Sequence, residues 1–398
     1  MKSRSLLQEK LVFSWKHVAL IAAFSLVVGA FLQRNHAFNP FKRILQGRPF
    51  HIAPPTHTIL DWEFKQKEFH KPQYILGQLT LKEVEANRFL YVSKLEELLR
   101  LQAFPRSHSF KIRILEKIEL PKVYREKIEI ETEPDLWIPF YLFIPKGGKH
   151  PRPLILVFHG HSAGKIETAG IVSSYQKKNA RTLAEAGFVT AAPDLRGFGE
   201  LGWTGDWNDP MGHQYGRSVH IQDVIDNLRM GRTTLGSFIY DARKILDYLS
   251  TRPEVDAERI GVAGISMGGD VAIWFAIFDP RVKAIAASSA SLLGYPPRSV
   301  DYGEYHPCIH TIPRILEFFR LRDIPLLVAP RPFLLDLYRA NRDDPFIRQK
   351  LEEFYREAGS LEKLSFLLHK EGETFHNGTA IEWFKKWLSN VPKVPSPS

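Results

Sequence analysis

Apolar and polar residues alternate with period two over residues 111–120, 123–131 and 137–144, and Pro-containing breaks separate the three segments. Strands that bury one face and expose the other have this pattern, so these segments predict antiparallel strands at the edge of a sheet. The pattern then changes. Short, almost uninterrupted apolar runs occur at 154–158, 189–192, 260–263, 282–287, 333–337 and 364–368, separated by helix-length segments at 173–186, 237–250, 267–278 and 348–358, with 379–388 closing the series. Strands covered on both faces need apolar residues at every position, and helices between them supply the cover. The expected architecture is an α/β domain with a doubly wound, mostly parallel sheet, antiparallel N-terminal edge strands and an N-terminal hydrophobic segment.

That N-terminal segment is the uncharged run 18–32, preceded by Lys2, Arg4, Lys10 and Lys16. Basic residues ahead of an apolar stretch are the layout of a signal peptide or signal anchor. As a helix the run reaches only about 22 Å, short of a ~30 Å hydrocarbon core unless residues 11–13 join it. Asn35-His36-Ala37 is a poor cleavage sequence, which favours an uncleaved anchor. Arg34, Lys42, Arg43 and Arg48 follow the run as closely as the first four basic residues precede it, so charge gives no orientation. The division expected is 1–38 signal anchor or signal peptide, 39–105 accessory cap or linker with an amphipathic helix at 81–101, 106–390 catalytic domain, and 391–398 flexible tail. The location implied is membrane-anchored or exported, in a bacterial cell envelope.

Composition changes this picture little. At 44% hydrophobic and 25% charged, the 398 residues suit a globular fold. The net charge of +10 is spread along the chain, with no dense basic block and no zinc-ligand spacing, so no nucleic-acid partner, metal or cofactor is expected. Cys308 is the only cysteine, which excludes an intrachain disulfide. It stands between His306 and His310, a trio expected to be structural rather than a metal or thiol site.

The chemistry centres on Gly264-Ile265-Ser266-Met267-Gly268, a G-x-S-x-G sequence placed between the apolar run 260–263 and a helix. A nucleophile projecting from a tight strand-to-helix turn requires flanking positions without side chains, and Gly264 and Gly268 meet that demand. Oxyanion stabilisation needs a second donor, and Phe158-His159-Gly160-His161 follows an earlier strand at a suitable place. The backbone N–H groups of His161 and Met267 are assigned to the oxyanion hole, with His159 expected to make a structural hydrogen bond.

A serine needs an imidazole base, which in this chain order comes last. His376, in the loop between the last strand and the final helix, is the first choice and His369 the alternative. For the acid that orients the imidazole, Asp344 is preferred, then Asp343, then Asp336 within the strand. Asn377-Gly378-Thr379 is a formal glycosylation sequon beside that base and is expected to be unmodified.

From about residue 111 to 388 the chain resembles the dienelactone-hydrolase-like and acetyl-xylan-esterase-like branch of the α/β-hydrolase superfamily. The likeness rests on Phe158-His159-Gly160-His161, Pro193-Asp194-Leu195-Arg196-Gly197-Phe198-Gly199, Gly264 to Gly268, Ala329-Pro330-Arg331-Pro332 and Phe375-His376. The resemblance implies a serine hydrolase cleaving small-molecule carboxylic esters through Ser266, His376 and Asp344. In such enzymes the Ala-Pro-Arg-Pro run opens the strand that leads to the catalytic acid. Here the segment 336–342 is longer than the usual Gly-x-x-Asp turn and lacks glycine. Two aromatic-rich loops, 199–235 and 292–325, are expected to form the pocket wall.

Overall fold

The computed structural model describes residues 71–105, 110–202, 213–214, 217–293, 306–338 and 345–389. Nine strands form one sheet: β1 (Ile112–Glu119), β2 (Val123–Glu133), β3 (Leu136–Pro145), β4 (Arg152–Phe158), β5 (Val189–Pro193), β6 (Val255–Ile265), β7 (Val282–Ser288), β8 (Phe333–Tyr338) and β9 (Leu364–His369). Their spatial order is β1-β2-β3-β5-β4-β6-β7-β8-β9. The first three strands and the β3–β5 pair run antiparallel, and every pair from β5 to β9 is parallel. Strand order reverses around β4, which places the C-terminal ends of β4 and β6 at the crevice where such sheets bind ligands.

Alternate residues of the central strands feed two cores. On β4, Leu154, Leu156 and Phe158 face one cluster while Ile155 and Val157 face the other. The first face is covered by α5 (Thr234–Leu249), α6 (Met267–Phe278) and α7 (Pro345–Glu357), the second by α3 (Asn179–Glu185) and α8 (Asn377–Leu388). The fifth helix in this numbering follows α4 (Val219–Arg229), and α1 (Leu81–Ala86) and α2 (Arg88–Leu98) precede the sheet. Every residue of α6 is buried, as a helix that is apolar all round except at Asp270 requires.

The single helix expected at 81–101 divides at Asn87, whose φ of −111° and ψ of 8° leave the helical region. A capping box between Thr80 and Glu83 starts α1. Leu76, Val84, Leu95 and Leu99 are fully buried in the same core as β4 and α6, so this described part of the expected cap region is packed onto the sheet domain. The helix expected at 173–186 begins only at Asn179, because Lys177 and Lys178 adopt left-handed backbone conformations. The expected anchor run 18–32 and the tail 391–398 lie outside the described residues. Among the described residues, no helix is long and apolar enough to cross a membrane.

Candidate active site

β6 ends at Ile265 and α6 begins at Met267, so Ser266 alone makes the turn between them, with φ 58° and ψ −127°. A non-glycine residue held there stores strain, which the surrounding contacts must impose. They do so through backbone approach. A Cβ on Gly264 would lie 2.0 Å from the Gly268 carbonyl oxygen, and one on Gly268 would lie 2.2 Å from that of Phe158. The Ser266 N–H donates to the Ser288 carbonyl at 2.9 Å, which ties the turn to β7.

The Ser266 Oγ lies 3.2 Å from His306 Nε2, and His306 Nδ1 lies 2.8 Å from Asp270 Oδ2. Asp270 stands in the first turn of α6, fully buried, and also accepts from Ser291 Oγ at 2.7 Å and the Leu292 N–H at 3.0 Å. Burial pushes its carboxyl upward, but the hydrogen bond from His306 and the neighbouring His310 and His306 rings outweigh this and hold it below the usual carboxylate range. An ionised Asp270 only accepts hydrogen bonds, so His306 carries its proton on Nδ1 and turns the Nε2 lone pair to the serine hydroxyl.

His376 occupies the N-cap of α8, and its Nδ1 lies 3.0 Å from both carboxylate oxygens of Asp336. Asp336 is on β8, one strand over from Ser288, whose hydroxyl donates to Asp336 Oδ2 at 2.9 Å. His369, at the end of β9, places Nε2 3.1 Å from Asp336 Oδ1. Both expected histidines therefore converge on the third-ranked acid. Asp344 and Asp343 lie outside the described residues. Among the described contacts the ring that meets Ser266 Oγ is His306, while the Nε2 of His376 faces Glu371 Oε2 at 3.3 Å.

The loop after β4 is fixed from several sides. His159 is fully buried, its Nδ1 2.7 Å from the Gly160 carbonyl and its Nε2 accepting from the Leu195 N–H at 3.0 Å, so both ring nitrogens serve the backbone. The Gly160 N–H donates to Gln176 Oε1, whose amide nitrogen reaches Ser162 and Glu167. Lys165 is completely buried against Asp194 and Glu200, the first at 2.6 Å, which joins this loop to the one after β5. His161 follows Gly160, with Nε2 2.8 Å from His220 Nε2 and its ring centroid 5.8 Å from that of His306. Burial, then the neighbouring His220, His306 and His159 rings, push its imidazole down to about 3, so it is neutral near pH 7. Met267 is the first residue of α6, where backbone N–H groups have no acceptor within the helix.

A family model described as "Abhydrolase family" matches residues 68–371. The chain belongs to the abhydrolase family. Among curated relatives, this abhydrolase is 28% identical over 204 residues to the Bacillus subtilis protein named "Putative hydrolase YtaP", covering 49% of the chain and 62% of the relative. It is 32% identical over 167 residues to the Escherichia coli "Uncharacterized protein YcjY", covering 41% and 44%. The chain thus spans less than two thirds of the curated relatives it matches. Among solved structures, it superposes on a "putative acetyl xylan esterase" from Bacteroides fragilis with a TM-score of 0.65 at 18% identity, over 82% of this chain and 86% of that one. The expected resemblance to the α/β-hydrolases is met by the family match, and the superposition shows the same fold.

Two residues of the Ser266–His306–Asp270 cluster were not singled out as chemistry by the sequence. Asp270 had a signal, since it is the one charge in an otherwise apolar helix and a buried carboxylate requires partners. His306 had almost none, because it lies in an aperiodic segment and its contact with Asp270 spans 36 positions. Its neighbour Cys308 is buried, with Sγ 3.7 Å from Met267 Sδ, and burial pushes the thiol up to about 12. The Asn377 side-chain nitrogen donates to the Lys177 carbonyl at 2.9 Å.

Proposed function

We propose that the chain is a serine hydrolase of small carboxylic esters with Ser266 as nucleophile, His306 as general base and Asp270 as the group that orients the base. The observation carrying this reading is the continuous path from Ser266 Oγ through the His306 ring to Asp270. Ser266 attacks the ester carbonyl while His306 Nε2 takes the hydroxyl proton, and Asp270 stabilises the imidazolium that forms. The N–H groups of His161 and Met267 stabilise the oxyanion. The tetrahedral adduct expels the alcohol, which receives the proton from His306, and water then repeats the sequence on the acyl-enzyme. Ester chemistry is supported by the names of the superposing structures, the acetyl xylan esterase and a protein named "Methylesterase" (TM-score 0.59, 18% identity, over 81% of this chain and 66% of that one).

A second reading assigns the base to His376, as the sequence led us to expect, with Asp336 or Asp344 behind it. It is favoured by the His376–Asp336 pair and by Ser288, which binds Ser266 through its carbonyl and Asp336 through its hydroxyl. Fluorophosphonate labelling and hydrolysis of short p-nitrophenyl esters separate these cases. Ser266→Ala abolishes both signals; labelling elsewhere, or undiminished hydrolysis, defeats the function itself. His306→Ala losing turnover by about 10³-fold while His376→Ala retains it supports the first reading, and the reverse pattern supports the second.

A further inference from the structure

We propose that Asp336, His369 and His376 bind one divalent transition-metal ion of the zinc type at the C-terminal edge of β8 and β9. One donor atom from each residue lies within 4.8 Å of the other two. His369 Nε2 is 3.1 Å from Asp336 Oδ1, and His376 Nδ1 is 3.0 Å from Asp336 Oδ2. With metal–donor bonds of about 2.0–2.1 Å, donors around a tetrahedral ion stand about 3.3–3.4 Å apart, so small side-chain rotations open the required space.

His369 points to a ligand independently of that spacing. Its side chain is only 7% exposed, yet neither ring nitrogen makes a directed hydrogen bond. Buried polar atoms are satisfied in the great majority of cases. Hydrogen bonding accounts for the Asp336–His376 pair but leaves this ring without a directed partner, whereas an ion between the three residues engages it. Burial favours the neutral ring, the form that ligates.

The surroundings have the form that metal ligands require. Glu371 Oε2 lies 3.3 Å from His376 Nε2, so a carboxylate holds the far nitrogen and leaves Nδ1 to face the ion. Ser288 Oγ steadies the Asp336 carboxylate at 2.9 Å. His376 is 21% exposed and Glu371 72%, which leaves an approach from solvent on that side. Two imidazoles and one carboxylate suit zinc, cobalt or nickel, not magnesium or calcium, which take oxygen donors. The sequence alone had suggested no metal, because Asp336 and His369 are separated by 32 other positions and no short ligand motif marks them.

The test uses the full chain after chelator treatment, titrated with Co²⁺ alone and with Zn²⁺ in competition, and reads the visible absorption of bound cobalt. We expect one equivalent bound and displaced by zinc, with affinity at least roughly tenfold weaker in His369→Gln. Exposed Glu371 supplies a second variant that spares the core: Glu371→Gln should weaken binding by roughly tenfold or more. Ser266→Ala should bind as wild type does, which separates this site from the esterase reading. No stoichiometric cobalt band in wild type overturns the proposal. Wild-type affinity in His369→Gln also overturns it, and so does wild-type affinity in Glu371→Gln if His369→Gln does not fold.

Discussion

Asp270 Oδ2 lies 2.8 Å from His306 Nδ1, a carboxylate in the first turn of an apolar helix meeting an imidazole 36 positions further along the chain. Desolvating a carboxylate costs several kcal/mol in general, so a residue of this kind persists only with full hydrogen-bond satisfaction. Asp270 has it, from His306, Ser291 and Leu292 together.

The first prediction concerns Asp270→Asn. The amide keeps an acceptor for the Leu292 N–H, but it presents an NH₂ group to His306 Nδ1. That favours the tautomer protonated on Nε2, which cannot accept the Ser266 proton. We expect kcat/KM for a p-nitrophenyl ester to fall by about 10³–10⁴-fold with the fold retained. Circular dichroism beside the kinetics separates tautomer loss from unfolding, and wild-type kinetics would exclude Asp270 from the reaction.

Stability should fall on acidification below neutral pH, a loss that Asp223, pushed up to about 6 first by burial, offsets in part by taking a proton in the folded state. His159, His161 and His369 are held neutral in the folded state, in each case first by burial. In the unfolded chain they take a proton near pH 6.5, so between that pH and the folded value of about 3 for His161 the unfolded state binds more protons. Stability therefore rises with pH across that window and is lost as pH falls, by about 1.4 kcal/mol per pH unit for each fully effective histidine. Asp270 adds a loss at lower pH: its depressed carboxyl stabilises the fold above the unfolded value and ceases to as pH falls through the folded one. Urea midpoints at pH 7, 6 and 5 should decrease in order, and a flat series would show that the imidazoles protonate without penalty.

The sheet was legible because burial on both faces leaves a mark at every residue of a strand. Leu154 to Phe158 is apolar throughout and Val282 to Ala287 is apolar except for Lys283, and each lies within an observed strand. β6 begins earlier than its apolar run, since Val255 and Asp256 pair with Arg152 and Pro153 at the sheet margin, where charge is tolerated. Ser266 was legible for a steric reason, because a tight turn restricts its own neighbours in sequence. The partner of its hydroxyl was not, since His306 reaches it through tertiary packing that no local pattern records. Asp336 shows the same limit from the other side: its place within β8 argued for a core or edge role, while its register beside Ser288 turned it to two histidines.

Cys308 tests whether the site depends on a thiol. Its Sγ is buried against Met267, and burial pushes the group up to about 12, so the thiolate is scarce at neutral pH. Native protein at pH 8 should resist iodoacetamide and keep its esterase activity, whereas protein in urea should be alkylated at Cys308. Rapid alkylation of the native chain with parallel loss of activity would mean that the 307–310 segment opens readily.

Gly268 and Gly378 provide an internal comparison, because both stand in the first turn of a helix beside a residue of the site. A Cβ on Gly268 would lie 2.2 Å from the Phe158 carbonyl oxygen and 2.5 Å from that of His159. Both obstructions are backbone, so relief requires either the end of β4 or the start of α6 to move. Either movement displaces the turn that carries Ser266 or the loop leading to His161. Gly268→Ala should therefore cost about 3 kcal/mol or more, at or above the upper end of ordinary overpacking, and reduce ester turnover beyond what the stability loss explains. On α8 nothing lies within 4 Å of the position a Cβ on Gly378 would take. Gly378→Ala removes only backbone freedom from the unfolded chain and should stabilise by about 0.5–1 kcal/mol. Urea unfolding of both variants checks the signs. Equal tolerance at the two positions would mean that α6 does not approach β4 as closely as the geometry requires, and the strained serine turn would lose its physical basis.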